Sequence, residues 1–448
     1  MEIRAEGTRA GWWPLAAIVL AVFMLMLDAT ITTVALPGIG RDLGADLDDL
    51  QWVLNGYTLA MAAFQLTAGS LADRLGRRRV FVAGVAVFAA ASLACGLATR
   101  PDVLIGARVI QGLAGASMFA TTLALIAQSY AGRDRGIAFG VRGTAAGVAV
   151  VLGPLAGGAL VSGPGWRWIF LVNLPVAAVA LAIAWRVLPR GEHLDRGRRL
   201  DVPGPVILAV TLFLLVLALL RGGGYGWGSA RTVLLFAGAA CGLAVFVLVQ
   251  HVRDDPMLEL SLFRRPAFTG TQIGSFTVQA SVFALLVYLS FHFQNQLGYS
   301  AMRAGLAFLP LVVPILLTGP VAGAVMDRLP RGRLVAGALA ALAAGIALMH
   351  GGGWWHLAPG MIVAGLACGV VLPVLGGLAV DVPDQRRLGM ASGVNNTVLQ
   401  IGFTVGVAGY GAALGTSGLD SLFVIGTVTA LLGAVLTALL IRDRPGAL

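Results

Sequence analysis

Two charged residues of opposite sign lie inside long apolar stretches of this sequence, and chemistry is expected there first. Asp28 is the only one of the 21 acidic residues that lies well inside such a stretch. A carboxylate in hydrocarbon is unfavourable unless it is paired, hydrated or protonated, so it is a functional candidate by default. Burial and a nearby cation act on its proton affinity in opposite directions, and this balance suits a reversible proton carrier.

Arg108 is the natural partner of Asp28. Asp28 lies eight residues before the end of its apolar stretch, and Arg108 lies five residues after the start of its own. If both ends lie at one membrane face, the two depths are about 12 and 8 Å, which an arginine side chain can bridge. An arginine that stays charged could then modulate the proton affinity of the carboxylate. Two plainer interpretations stay open, in which Asp28 forms a structural or hydrated contact and Arg108 extends to the interface.

Other polar side chains inside apolar stretches are candidates for contact with a solute. Each could bind cargo, or equally join two helices by a hydrogen bond. They are Asn55, Tyr57, Gln65, Gln111, Gln279, Asn395, Asn396 and Gln400. Gln111 follows Arg108 by about one helical turn, so it can also bond within the Asp28–Arg108 pair.

The elements that must position these residues are membrane helices. Hydrophobic residues make up 58% of the 448 residues and charged residues 12%, whereas a soluble protein carries roughly a quarter charged residues. About fourteen stretches are near the length of roughly 20 residues that crosses the hydrocarbon. We predict spans at 14–36, 51–72, 80–98, 103–126, 137–161, 167–187, 202–220, 231–250, 268–290, 303–326, 333–350, 357–378, 390–414 and 420–441.

A charged turn occurs twice in the chain and divides it. Residues Gly69–Arg79 read G-S-L-A-D-R-L-G-R-R-R, and residues Gly323–Arg333, which begin 254 positions later, read G-A-V-M-D-R-L-P-R-G-R. A repeat of this kind predicts two homologous helical bundles. We therefore divide the chain into a bundle at 1–187, a linker with two additional helices at 188–250, and a second bundle at 251–448.

Lysine is absent, and all 31 basic residues are arginine. A lysine-dependent phosphate loop and a lysine Schiff base are therefore excluded, and no other catalytic or cofactor motif is present, so we expect neither enzyme activity nor a cofactor. The loops on the side of the two termini hold 23 arginines and the opposite loops hold six. The positive-inside rule then predicts a multi-pass protein of the inner (plasma) membrane with both termini in the cytoplasm, and it explains the net charge without nucleic acid binding.

Cysteines and histidines add no metal site. Cys95, Cys241 and Cys368 each fall inside a predicted span, where they are expected to be small packing residues. His292, His350 and His356 fall near span ends, where a solvated position is expected. Neither a disulfide framework nor a metal-binding spacing is predicted.

Several motifs together resemble the major facilitator superfamily. The Gly69–Arg79 turn resembles the loop motif of that superfamily, and Arg108-x-x-Gln111-Gly112 resembles its fourth-helix motif. Three further segments resemble the branch of fourteen-helix drug:proton antiporters. They are Leu27–Pro37 (L-D-A-T-I-T-T-V-A-L-P), Gly147–Gly158 (G-V-A-V-V-L-G-P-L-A-G-G) and Leu297–Pro310 (L-G-Y-S-A-M-R-A-G-L-A-F-L-P). The resemblance covers essentially the whole chain and implies an all-α fold of two six-helix bundles plus two inserted helices, with Arg108 in proton coupling.

The resemblance also implies a gate at the repeated turn. Asp73 would face the start of the helix near 389–392, where a helix N-terminus carries partial positive charge, and Asp327 would face the start of the fifth span near 136–139. The other gate positions are Gly69, Arg74, Gly76, Arg77 and Arg328; these arginines could instead serve only the positive-inside rule. In the fifth span, Gly153, Pro154 and Gly157 would form a pliable contact between bundles, or ordinary small-residue packing.

Together these observations predict a proton-coupled antiporter that exports small hydrophobic molecules, such as drugs, antibiotics or related metabolites, by alternating access. Members of the branch that export divalent organic cations often carry additional membrane acids, so a monovalent, zwitterionic or neutral solute fits better here. The expected partners are the solute, protons and membrane lipid, with no nucleic acid, and the expected state is a monomer. Three alternatives stay open: a metabolite symporter or uniporter, a lipid transporter, and a membrane receptor that does not transport.

Overall fold

The computed structural model describes residues 11–130, 132–188, 201, 203–253, 256, 258–325, 330–379 and 388–441. Within these residues every regular element is helical, which confirms the predicted all-α class. The helices are α1 (Trp13–Leu43), α2 (Leu47–Leu75), α3 (Arg77–Gly96), α4 (Pro101–Ser129), α5 (Gly132–Ser162), α6 (Trp168–Val187), α7 (Pro203–Tyr225), α8 (Ala230–Val252), α9 (Pro266–Gln296), α10 (Ala301–Ala307 continued by Leu309–Val325), α11 (Arg331–Ala347), α12 (Trp354–Ala379), and α13 and α14, which together form Leu388–Leu440.

Several of these helices are interrupted. Gly418 separates α13 from α14 because its φ of 75° lies in a region that side chains disfavour. The two parts of α10 meet at 42°. Two turns of α9, Gln279–Phe283 and His292–Gln296, have the wider π-helical hydrogen bonding that often marks functional positions.

The described helices are consistent with the fourteen predicted spans, because each predicted span overlaps one of them. Ten are long and apolar enough to cross a membrane on length and composition alone, and the bent α10 makes eleven. The helices also extend past the predictions at some ends. For example, α1 continues to Leu43 and α9 to Gln296, since a helix does not stop where the apolar residues do.

The helices group into bundles. In the first, α1 packs along α5 and α6, and α4 packs between α2 and α3. In the second, α12 packs between α10 and α11, and α9 packs along the α13–α14 stretch. The two groups meet where α2 contacts α13 and where α5 contacts α10. These two contacts involve matching helices of the repeat, because 254 positions separate α2 from α10 and α5 from α13 in the sequence.

The inserted helices α7 and α8 pack on each other, and α7 also lies against α2 and α13. Leu208 and Leu212 of α7 share an apolar cluster with Leu59 of α2 and Ala408 of α13. Arg221 of α7 forms an ion pair with Asp48 of α2 at 3.1 Å. Helix α7 therefore covers the α2–α13 seam, and α8 lies against α7.

The two ends of the helix bundle differ in charge, and each is named for its arginine content. The arginine-rich face is the end where α2 turns into α3, at residues 74–79. The arginine-poor face is the opposite end, where α1 turns into α2, at residues 41–50.

Candidate functional site

Asp28 lies at the centre of a buried polar cluster in the first bundle. Both Asp28 and Arg108 have exposed fractions of 0%. Arg108 Nη1 donates to Asp28 Oδ2 at 2.5 Å, while Asn173 Nδ2 and Gln111 Nε2 donate to Asp28 Oδ1 at 2.9 and 3.1 Å. The contact that the helix depths predicted is therefore present, and the carboxylate accepts three hydrogen bonds.

A second set of bonds closes the cluster. Gln111 Oε1 accepts from Arg108 Nη1 at 2.7 Å, and Ser92 Oγ accepts from both Gln111 and Asn173. Ser92 in turn donates to the carbonyl of Phe170 at 2.9 Å. We call Asp28, Ser92, Arg108, Gln111 and Asn173 the Asp28 cluster; its members come from α1, α3, α4 and α6.

Arg108 is also held by α2. Its Nε donates to the Val53 carbonyl at 3.2 Å, and its Cζ lies 4.2 Å from the centre of the Tyr57 ring. A cation over an aromatic face is stabilised by the ring quadrupole. The close approach depends on Gly112, because a Cβ there would collide with the Tyr57 carbonyl. The arginine is thus fixed in place by packing as well as by charge.

Two members of the cluster, Ser92 and Asn173, are absent from the residues predicted from the sequence. Asn173 had a detectable signal, since it is an amide within the apolar run W-I-F-L-V-N-L-P-V, in a predicted span. It lies where α6 breaks after Leu171, which turns its side chain towards Asp28. Ser92 gave little signal because small hydroxyl residues are common in membrane helices.

A stripe of α2 faces the second bundle. Gln51, Asn55, Thr58, Ala62 and Gln65 follow one another at helical spacing, and we call them the α2 stripe. Gln51 Nε2 donates to the Tyr288 hydroxyl at 2.7 Å, and the Thr58 and Thr404 hydroxyls lie 2.6 Å apart.

Two amides of the α2 stripe lack partners among the described residues. Asn55 is fully buried with neither side-chain atom hydrogen-bonded, and Gln65 Oε1 is likewise buried and unpaired. The Tyr57 hydroxyl is also buried and without a hydrogen-bond partner among the described residues. Unsatisfied buried polar groups are unfavourable and call for an explanation.

The other predicted solute residues are dispersed. Gln111 belongs to the Asp28 cluster. Asn395 accepts a hydrogen bond from Ser275 at 2.8 Å, and Gln400 Nε2 lies 3.6 Å from the Met61 sulfur of α2. Asn396 and Gln279 are half-buried, and Gln279 begins a π-helical turn of α9. Gln400 therefore lies on the contact with α2.

The glycines of α5 divide into two sets. A Cβ at Gly153 would collide with Thr30, and one at Gly157 would lie 2.9 Å from the Ile31 carbonyl, so both face α1 inside the first bundle. Gly158 instead faces α10, with the Ala301 carbonyl at 2.7 Å from a Cβ built there. A Cβ at Gly305 of α10 would collide with the Pro154 carbonyl. Pro154 and Gly158 therefore make the contact between bundles.

Three hydrogen bonds near the arginine-poor face also cross between the bundles, joining α9 to α1, α10 to α5 and α2 to α9. Gln294 Nε2 donates to the Val34 carbonyl at 2.9 Å, and the Met302 backbone N–H donates to Ser162 Oγ at 3.1 Å. Together with the bond from Gln51 to Tyr288, they join the two bundles near this face.

His292 was expected to be solvated, and that expectation is wrong. It is 5% exposed, with Nδ1 bonded to Gln296 at 2.8 Å and Nε2 to the Gly352 carbonyl at 2.6 Å. The π-helical turn at His292–Gln296 turns the ring towards the protein.

The predicted gate at the arginine-rich face is described only in part. Asp73 lies in the last turn of α2, Arg74 is exposed there, and Arg77 begins α3. Gly76 makes the turn between the two helices with a φ of 103°, and a side chain at Gly69 would meet no atom within 4 Å. Asp327 and Arg328 lie outside the described residues. The latch between Asp73 and the second bundle stays a prediction.

A family model for the Major Facilitator Superfamily matches residues 18–359 and, in a second match, residues 271–448. The chain belongs to the major facilitator superfamily. Members of this superfamily are transporters, so this multi-pass membrane protein is a transporter and not an enzyme.

Two relatives of this major facilitator are named for antibiotics. The probable actinorhodin transporter of Streptomyces coelicolor is 38% identical over 90% of this chain and 73% of its own length. The tetracenomycin C resistance and export protein of Streptomyces glaucescens is 32% identical over 92% of this chain and 77% of its own. Among solved structures, a D-xylose-proton symporter aligns with a TM-score of 0.69 and 14% identity over 98% of this chain and 99% of its own; it shares the fold.

Proposed function

We propose that this major facilitator is a proton-coupled antiporter that exports hydrophobic small molecules of the antibiotic kind. The relatives named for transport or export of actinorhodin and tetracenomycin C support export of such molecules. The observation that carries the proton coupling is the fully buried Asp28–Arg108 pair, in which a titratable acid is held against a permanent cation.

The charge balance of the Asp28 cluster suggests how a proton would act. With Asp28 ionised, the pair is neutral and joins α1 to α4. With Asp28 protonated, Arg108 becomes a buried cation without an anion, which is strongly unfavourable in a low-dielectric interior. Water entry, solute binding or a shift of α4 relative to α1 would relieve that state. Proton uptake is thereby linked to a change in the bundle.

The α2 stripe is the proposed solute contact. Its unpaired amides at Asn55 and Gln65 lie along the surface where the two bundles meet, one on each side of the bond between Thr58 and Thr404. Tyr57 joins this surface to the Asp28 cluster, because its ring stacks on Arg108 while its hydroxyl is unpaired. Solute and proton could therefore compete directly, or act on each other through Arg108.

We place the arginine-rich face in the cytoplasm of a cell whose inner (plasma) membrane holds the protein, on the basis of the arginine distribution. The arginine-poor face, where hydrogen bonds join the two bundles, then points outwards. A solute would enter from the cytoplasm, and a proton from outside would trigger return to the starting state.

The first prediction tests the coupling acid. Proteoliposomes are loaded at acidic pH with a pH-sensitive dye and challenged with a panel that includes puromycin, ethidium and pyrenebutyric acid. We expect at least one compound to raise the luminal pH with the wild type, and Asp28→Asn to abolish this response because it cannot release a proton.

Asp102→Asn is the matched control, since Asp102 is exposed and pairs with Arg100 at the start of α4. It should respond like the wild type. If Asp28→Asn exchanges protons for a compound as well as the control does, Asp28 is not the coupling acid.

A further inference from the structure

A second arginine lies within the apolar part of the first bundle. Arg142 is on α5, eleven residues before Gly153, so about three helical turns separate the two along one side of the helix. It is half-buried and extends to α4, where its Cζ lies 4.7 Å from the centre of the Phe119 ring and its Nε donates to Thr122 Oγ1 at 3.2 Å.

Arg142 has no anion among the described residues. Neither Nη1 nor Nη2 of Arg142 has a hydrogen-bond acceptor among the described residues. The Nη2 atom is buried as well as unpaired. Asp134, on the same helix, is exposed and lies two turns away, or about 12 Å along the axis. Asp28 is already bonded to Arg108. The charge of Arg142 is therefore not neutralised within the described protein.

The geometry specifies what could neutralise it. The bond to Thr122 fixes the guanidinium plane, and Phe119 covers one of its faces. The edge formed by Nη1 and Nη2 remains, with two N–H groups side by side. A planar fork of this kind binds a carboxylate or similar oxyanion through two parallel hydrogen bonds.

Arg142 lies between the arginine-rich face and the Asp28 cluster, at a depth that an exported solute would pass. Phe119 follows Arg108 by eleven residues on α4, which puts Arg142 about 16 Å nearer the arginine-rich face than the Asp28 cluster. We propose that Arg142 binds the anionic group of the transported solute, so that the exporter accepts amphipathic organic anions. The inference rests on the proposed export function, but binding alone can test it.

The experiment compares two aromatic probes that differ in one group, pyrenebutyric acid and the neutral pyrenebutyramide. Binding to the purified full-length protein in a neutral detergent is followed by pyrene fluorescence at neutral pH. We expect the wild type to bind the acid about tenfold or more tightly than the amide, as a charge-assisted hydrogen bond allows. Arg142→Gln should lose this preference while binding the amide as before, and Arg142→Lys should keep part of it.

Arg100→Gln is the matched control, because Arg100 is exposed and paired with Asp102. It should keep the full preference for the acid. The preference should also persist when phosphatidylglycerol is added; its loss there would assign Arg142 to a lipid headgroup and overturn the proposal. Equal binding of acid and amide by the wild type, or an unchanged preference in Arg142→Gln, would overturn it as well. Neither result depends on proton exchange, so the antiport proposal stands or falls separately on Asp28→Asn.

Discussion

The two arginines inside the first bundle differ in how completely the protein satisfies them. Arg108 is fully buried and donates to Asp28, Gln111 and the Val53 carbonyl. Arg142 is half-buried and donates to one hydroxyl, that of Thr122. A buried arginine that is paired with a carboxylate loses its counter-charge when that carboxylate is protonated. A buried arginine without a carboxylate can instead bind the anionic group of a ligand. The same side chain thus suits coupling in one place and recognition in the other.

The largest difference is expected in stability. Arg108→Leu leaves Asp28 as a buried carboxylate without a cation, so we expect a loss of about 3–5 kcal/mol in the free energy of unfolding. Arg142→Leu removes a charge that had no anion, and we expect it to stay within about 1 kcal/mol of the wild type. Denaturant unfolding in detergent, followed by circular dichroism, measures both.

The double variant Asp28→Asn/Arg108→Leu is the control for the first of these variants. With the stranded carboxylate gone, it should recover much of the stability that Arg108→Leu loses. Equal losses of unfolding free energy in Arg108→Leu and Arg142→Leu would contradict the view that Arg108 has a buried counter-charge and Arg142 has none.

A smaller effect is expected at Asn173. Asn173→Leu removes one of the three hydrogen bonds that Asp28 accepts and one that Ser92 accepts, so we expect a loss of about 1–3 kcal/mol. Asn55→Leu is the matched control because Asn55 is as deeply buried but unpaired. It should cost nothing in stability while weakening solute binding. The same unfolding measurement separates them, and a larger loss for Asn55→Leu would contradict the assignment of roles.

The sequence predicted the pair of Asp28 and Arg108 because charged residues are rare inside membrane helices. Two opposite charges at similar depth there are expected to form an ion pair. It did not predict Asn173 or Ser92. Neutral polar residues are tolerated in membrane helices, so their presence points to no particular partner. The break in α6 beside Asn173 falls four residues before Pro175, which has no N–H to donate to the Leu171 carbonyl, but a break does not show which neighbour Asn173 meets.

The glycines of α5 also show that a sequence pattern does not identify the neighbour that a residue contacts. Their spacing predicted a smooth helix face, and the structure has two, one towards α1 at Gly153 and Gly157 and one towards α10 at Gly158. Spacing along one helix defines which residues share a side, but not which neighbour that side meets. The helices themselves were predictable from apolar length, whereas the π-helical turns of α9 and the wrong expectation for His292 concern backbone geometry that composition does not encode.

The smallest effect is expected at Thr122, and it distinguishes orientation from charge. Thr122→Val removes the acceptor of Arg142 Nε without changing the volume of the side chain, so stability should fall by about 1 kcal/mol or less. The charge stays, but the guanidinium plane is no longer fixed by that bond. We expect the preference for pyrenebutyric acid over the amide to weaken by up to about fivefold, which corresponds to the same free energy.

Thr121→Val is the control, because Thr121 is equally buried on α4 but bonds to the carbonyls of Ser117 and Met118 on its own helix. It should leave the preference unchanged. If Thr122→Val also leaves it unchanged while Arg142→Gln abolishes it, the charge alone selects the anion and the fork geometry is irrelevant. If Thr122→Val reduces the preference as far as Arg142→Gln does, the arginine acts only when Thr122 holds it, and Thr122 is a positioning residue for the solute.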